Sequence, residues 1–266
     1  MRPIVLLVGT GLSVLAILVV MEDQFLYFPS RDLASTPAAY DLKAEELGIG
    51  ADDGVRLHGW WIQGDGRRAL LFFHGNAGNI ADRLDRARIL NRRFGLDLFL
   101  VDYRGYGRSE GAASEEGIYR DGRAVHRAAL DHGFPPEQII LFGESLGSAV
   151  AIQLALDLPC AALILETPFL SIRAMAREHY PFVPTFLIRS RFDNESKIVA
   201  VAPPKLFILA ERDDIVPPLQ GRRLFELARE PKTLYVIPRA GHNDTYITGG
   251  EAYWQAWERF LESVAR

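Results

Sequence analysis

A short apolar run, QIILF at Gln138 to Phe142, leads directly into GESLG, and an Ala-rich, uncharged stretch, SAVAIQLAL, follows. The run has the length and branching of a buried strand, and the stretch after it has the composition of a helix. Between them, Gly143 and Gly147 flank Ser145 two positions to either side, marking a turn too tight for side chains there. Strand, sharp turn and helix in that order call for an α/β fold. Ser145 then stands at the apex of the turn, above the C-terminal edge of the sheet.

The rest of the chain repeats the theme. Short apolar runs at Ala69 to Phe73, Leu98 to Asp102, Ile139 to Gly143, Ala162 to Glu166, Leu206 to Ala210 and Thr233 to Ile237 read as buried strands. Val55 to Gln63 alternates and reads as an early antiparallel strand. Helical stretches fall around Ile80 to Phe94, Glu115 to His132, Ser145 to Leu158, Leu219 to Leu227 and Tyr253 to Val264. The expectation is one α/β domain over residues 31–266, a mostly parallel sheet with helices on both faces, and 48% hydrophobic residues suffice for its core. Residues 167–205 are more than one crossover helix needs and read as a short cap.

Residues 1–30 read differently. Ile4 to Met21 carries no charge over 18 residues, about 27 Å of helix against a hydrocarbon core of about 30 Å. The length and the lack of a small-residue cleavage site favour an uncleaved single-pass anchor in a lipid bilayer over a removed signal peptide or a buried core helix. Phe25, Tyr27 and Phe28 would form an aromatic belt at the headgroups, and Pro29 would end the helix. Arg2 on one side against Glu22 and Asp23 on the other places the folded domain on the extracytoplasmic side.

A serine hydroxyl becomes a nucleophile when an adjacent base takes its proton. In a strand-turn-helix nucleophile site of this kind, the acid and then the histidine follow the serine in the chain. Of six histidines, His58, His74, His126 and His132 precede Ser145, and His179 lies in the cap, which leaves His242. The loop ERDDIVP offers Asp213 or Asp214 to orient it, Asp213 being preferred, with Glu166 as the rival. HGNAGN, residues 74–79, turns closely past a substrate, so the backbone N–H groups of Asn76 and Leu146 are the candidate oxyanion donors. The same glycines could cradle a phosphate, but no Gly-Lys-Ser/Thr follows. Asp102, Arg104 and Ser109 in DYRGYGRSEG read as loop pins. No residue cluster has metal-ligand spacing, and no cofactor is called for. A net charge of −4 with scattered basic residues argues against a nucleic-acid partner. Cys160, alone between apolar stretches, reads as a buried apolar residue.

Six motifs in order, FFHGNAGN, DYRGYGRSEG, GESLGSAVA, ETPF, ERDDIVP and GHND, resemble the α/β-hydrolase superfamily, and in detail its membrane-anchored α/β-hydrolase domain-containing serine hydrolases. The resemblance runs from about Phe25 to the C-terminus. It implies an α/β-hydrolase fold, a triad of Ser145, Asp213 and His242, no cofactor, and a location at or beyond the membrane surface. Glu211 and Arg212 depart from the small or uncharged residues usual beside the acid.

The leading reading is a serine hydrolase of carboxylic esters or thioesters, acting on a small-molecule or lipid acyl substrate. An acyltransferase or lysophospholipid hydrolase would use the same residues, and a membrane-anchored scaffold without activity is the non-enzyme alternative. Phe169, Met175, Phe182, Phe186 and Leu187 in the cap would line an acyl site, or simply pack the cap onto the sheet. A thin cap leaves limited room, which favours acyl groups of about two to eight carbons. Nothing in the sequence sets an oligomeric state.

Overall fold

The structure is a computed structural model and describes residues 21–264. The expected anchor, Ile4 to Met21, lies outside the described residues apart from its last. Among the described residues no helix is long and apolar enough to cross a membrane.

The strands are β1 (Phe28–Pro29), β2 (Ala44–Gly50), β3 (Arg56–Ile62), β4 (Ala69–Phe73), β5 (Ala77–Gly78), β6 (Asp97–Val101), β7 (Ile139–Glu144), β8 (Ala162–Glu166), β9 (Lys205–Ala210) and β10 (Lys232–Ile237). Eight of them form one sheet in the order β10-β9-β8-β7-β4-β6-β3-β2. Pairing is parallel from β10 through β6, while β3 runs antiparallel to both β6 and β2. Successive side chains on a strand point to opposite faces. Leu71, Leu141, Leu163 and Phe207 therefore enter one core, and Leu70, Phe72, Ile140, Ile164 and Ile208 the other. The central strands β4, β6, β7, β8 and β9 are buried on both sides, which is why each reads as a nearly unbroken apolar run.

The runs read as strands match to within a residue or so, because full burial demands uninterrupted apolar sequence. The sequence reading missed β2, an edge strand on which only Leu47 and Ile49 turn inward and Glu45 and Glu46 face water. The last helix begins earlier than expected, spanning Thr245–Ser263 with a kink at Gly250. The cap holds the helices Ile172–His179 and Asn194–Ile198 with a one-turn 3-10 helix, Thr185–Leu187, between them. Ser171 caps the first by accepting from the N–H of Ala174.

The N-terminal boundary needs correction. A short helix, Glu22–Leu26, and β1 form a strap that belongs to the folded domain rather than to a separate interfacial segment. Tyr27, expected in a headgroup belt, is buried in the core instead. β1 runs parallel to β5, with Phe28 opposite Ala77. A two-residue pairing has no periodicity to read, so nothing in EDQFLYF announced it.

Candidate active site

Ser145 follows β7 with φ 52° and ψ −114°, a left-handed conformation that costs a non-glycine residue about 1–3 kcal/mol. Its surroundings hold it there. The Ser145 N–H donates to the Glu166 carbonyl at 2.9 Å, and its own carbonyl accepts from the N–H and Oγ of Ser148 at 2.9 and 2.6 Å. The two glycines have separate reasons. A Cβ on Gly143 would strike the Gly147 carbonyl, and one on Gly147 would strike the carbonyl of Phe73 at the end of β4. They let the helix Leu146–Asp157 start hard against the sheet.

Sheet order decides what surrounds the serine. β7 lies between β4 and β8, with Gly143 in register with Phe73 and Glu144 with Glu166. The loop 74–79 after β4 therefore emerges beside Ser145. β9 and β10 pair with Ala210 opposite Ile237, so the loops after them emerge side by side. They carry Asp213 and His242, whose Oδ2 and Nδ1 are 2.8 Å apart. The other Asp213 oxygen accepts from the N–H groups of Ile215 and Val216 at 3.0 and 2.7 Å, so the carboxylate is fixed as an acceptor. His242 Nδ1 then donates, and Nε2 is left with the lone pair a general base needs. No hydrogen bond joins His242 to Ser145.

Glu211 and Arg212, the departures beside the acid, tie these two loops together. Glu211 accepts from the Arg239 N–H at 2.8 Å, and the Arg212 N–H donates to the Ala240 carbonyl at 2.8 Å. Asp214 is exposed at the cavity rim. Glu166, the rival acid, is buried and fully engaged: Arg86 lies 2.8 Å from it, and Thr245 and Tyr253 each donate at 2.6 Å. Arg86 also reaches Glu144 at 3.3 Å. Burial works to raise the Glu144 pKa, but Arg83 and Arg86 hold it below the ordinary carboxylate value.

Asn76 and Leu146 line the same cavity as Ser145, and neither backbone N–H donates to another backbone group among the described residues. The remaining groups of Asn76 hold the loop. Its carbonyl accepts from the Phe28 N–H and from Tyr106 Oη at 2.9 and 2.8 Å, and its side chain donates to the Leu26 carbonyl at 3.0 Å. The strap thus supports the candidate oxyanion loop directly.

The cavity above Ser145 has a volume of about 480 Å³, within the usual range for ligand sites. Of the cap residues named from sequence, Phe169, Met175 and Leu187 line it. Phe182 and Phe186 do not; they are 71% and 77% exposed. The sequence reading missed the wall formed by Phe25, Leu26 and Phe28 of the strap, having assigned Phe25 and Phe28 to the membrane surface. His179 pairs with the Ile215 carbonyl at 2.7 Å and links the cap to the acid loop. His58 pairs with Glu46, His126 with the Pro159 carbonyl and His132 with the Ala128 carbonyl, all structural contacts. Burial pushes the Cys160 thiol up to about 12, so no thiolate forms at neutral pH. Among the described residues no cluster of His, Cys, Asp and Glu is placed to hold a metal ion.

Residues 64–198 match the family described as serine aminopeptidase, S33. The chain is 35% identical to the α/β hydrolase domain-containing protein WAV2 of Arabidopsis thaliana, over 97% of this chain and 92% of the relative. It is 33% identical to an uncharacterized membrane protein of Saccharomyces cerevisiae, over 89% of this chain and 87% of that one. Its backbone superimposes on an esterase of Pyrococcus furiosus with a TM-score of 0.76 and 19% identity, covering 91% of this chain and 98% of the esterase. Strand order, serine turn and these likenesses agree: the chain belongs to the α/β-hydrolase superfamily, within the family described as serine aminopeptidase, S33.

Proposed function

We propose that the protein hydrolyses carboxylic esters through an acyl-enzyme on Ser145. The observation that supports this most is the strained Ser145 turn at the same sheet edge as the 2.8 Å Asp213–His242 pair. Ser145 Oγ attacks the acyl carbon as His242 Nε2 takes its proton, and the N–H groups of Asn76 and Leu146 receive the oxyanion. Collapse breaks the bond to the alcohol, which leaves with the proton from His242. Water then attacks the acyl-serine, gives its proton to His242, and releases the acid as Ser145 regains its hydrogen. Asp213 keeps His242 in the required tautomer throughout. The site needs no cofactor for this sequence of steps.

Labelling with a fluorophosphonate, followed by a panel of esters, tests the reading. Ser145→Ala should abolish labelling and lower ester turnover by about 10⁴-fold or more. Undiminished labelling of that variant would remove Ser145 from the mechanism. An amino-acyl anilide belongs in the panel, because the family description names an aminopeptidase and Asp214 lies in the cavity lining.

We also infer that Ile4 to Met21 anchors the protein in a bilayer, a reading supported by its uncharged length and by the printed name of the yeast relative. Glu22 and Asp23 carry less weight as topology signals than their charge suggests, since both contact Arg189 in the cap.

A further inference from the structure

We propose, resting on the ester-hydrolase reading, that His179 of the cap is a positioning residue: it holds the peptide group that holds Asp213, and so ties the placement of the cap to the alignment of the acid with His242.

A hydrogen-bond chain runs from the cap to His242 through one peptide. The Ile215 carbonyl and the Val216 N–H are the two polar ends of a single trans peptide, and they point in opposite directions. A carbonyl only accepts, so His179 Nε2 donates to the Ile215 oxygen, at 2.7 Å. On the other side the Val216 N–H donates to Asp213 Oδ1 at 2.7 Å, and Asp213 Oδ2 lies 2.8 Å from His242 Nδ1. Among the described residues neither end of that peptide has another partner. Turning its plane would lose both bonds together, and bonds in such a chain polarise one another. Ile215 is 42% exposed, so water can satisfy its carbonyl, but water does not fix the direction of the plane.

His179 is also the last residue of the helix Ile172–His179. Ile172, Met175, Ala176 and His179, spaced three and four residues apart, share one face of that helix and line the cavity over Ser145. The helix is lightly held. None of its residues is fully buried, and its other bonds to neighbouring segments stay inside the cap, from the Ile172 N–H to the Arg191 carbonyl at 2.8 Å and from Arg173 to the Ile188 carbonyl at 3.4 Å. Among the described residues His179 makes the one hydrogen bond that joins this helix to a loop at the sheet edge. An acyl group filling the cavity presses on the same helical face, so substrate placement and the orientation of Asp213 meet in one side chain. The sequence reading set His179 aside as a base because it lies in the cap; its place is on the far side of the acid.

The test uses the full chain in detergent with p-nitrophenyl butyrate and compares His179→Leu, which keeps bulk beside the cavity but removes the donor, with His179→Gln, whose side-chain nitrogen can replace Nε2 as donor. His179 is exposed, so neither change disturbs the core. The His242 Nδ1–H is followed as a downfield signal in proton NMR. His179→Leu should lower kcat about tenfold while KM stays within about twofold, and should broaden the His242 signal by faster exchange. His179→Gln should restore both. An unchanged kcat or an unchanged NMR signal in His179→Leu, no recovery in His179→Gln, or a change in KM alone would overturn the proposal and leave the hydrolase reading intact; the last result would make His179 a plain wall of the cavity. Absence of both ester turnover and fluorophosphonate labelling in the unmodified chain would instead reject the hydrolase reading, and the role of His179 with it.

Discussion

Asp213 and Glu166 are both buried carboxylates near the histidine loop, yet their neighbours give them different work. Asp213 has one oxygen on two backbone N–H groups and the other on His242, whereas Glu166 neutralises the buried Arg86. Asp213→Asn should therefore cut kcat by about 10⁴-fold with little change in Tm. Glu166→Gln should leave Arg86 short of a partner, costing about 3 kcal/mol or more, a fall in Tm on the order of 10 °C. Thermal melts and steady-state kinetics on both variants separate the roles; the opposite pattern would make Glu166 the acid. A third residue links the site to pH. His74 is fully buried, with Nδ1 donating to the Gly75 carbonyl at 2.7 Å, and burial lowers its pKa from 6.5 to about 4 despite Asp102 nearby. The unfolded chain binds this proton first, so stability is full above pH 6.5 and falls as pH drops toward 4, by an amount on the order of 3 kcal/mol. Denaturant unfolding across that range should show a shallower pH slope in His74→Asn, which keeps a donor for Gly75. An unchanged slope would exclude His74 as the source.

At the scale of elements, the strap alters what a truncation should do. Removing residues 1–30 would appear from sequence to trim an anchor and leave a soluble, active domain. In the structure it would delete the buried Tyr27, the Glu22 contacts to the cap, the Leu26 and Phe28 wall, and the Phe28 N–H that holds Asn76. A chain beginning at Arg31 should lose about 3–5 kcal/mol, the usual cost of deleting a buried aromatic, together with at least tenfold in kcat/KM. A chain beginning at Met21 should keep both. Equal stability and turnover of the two would show the strap to be dispensable. The contrast between strap and strands explains which elements were legible. β4, β7 and β8 are buried on both faces and announce themselves as apolar runs, while β1 and β5 consist of two residues each, paired by tertiary contact alone.

For the whole molecule, the anchor reading predicts that the full chain stays with membranes through an alkaline carbonate wash, while a chain beginning at Met21 is released. Release of the full chain, or a mature N-terminus found downstream of Met21, would replace the anchor with a peripheral or cleaved segment. By itself the sequence determined the α/β class and the position of Ser145 at a turn, and it put a candidate acid and a candidate histidine in order after that serine. These are local matters: burial on both faces of a strand forces apolar runs, and a turn without room for Cβ forces glycine. It left Asp213, Asp214 and Glu166 in competition, since the choice depends on which backbone N–H groups and which arginine each carboxylate meets. It also assigned Phe25 and Phe28 to a membrane belt and Phe182 and Phe186 to the acyl site. Only the tertiary structure put the first pair in the cavity wall and the second outside it. An aromatic side chain reads the same whether it faces lipid, core or ligand, and what covers it is decided by segments far away in the chain.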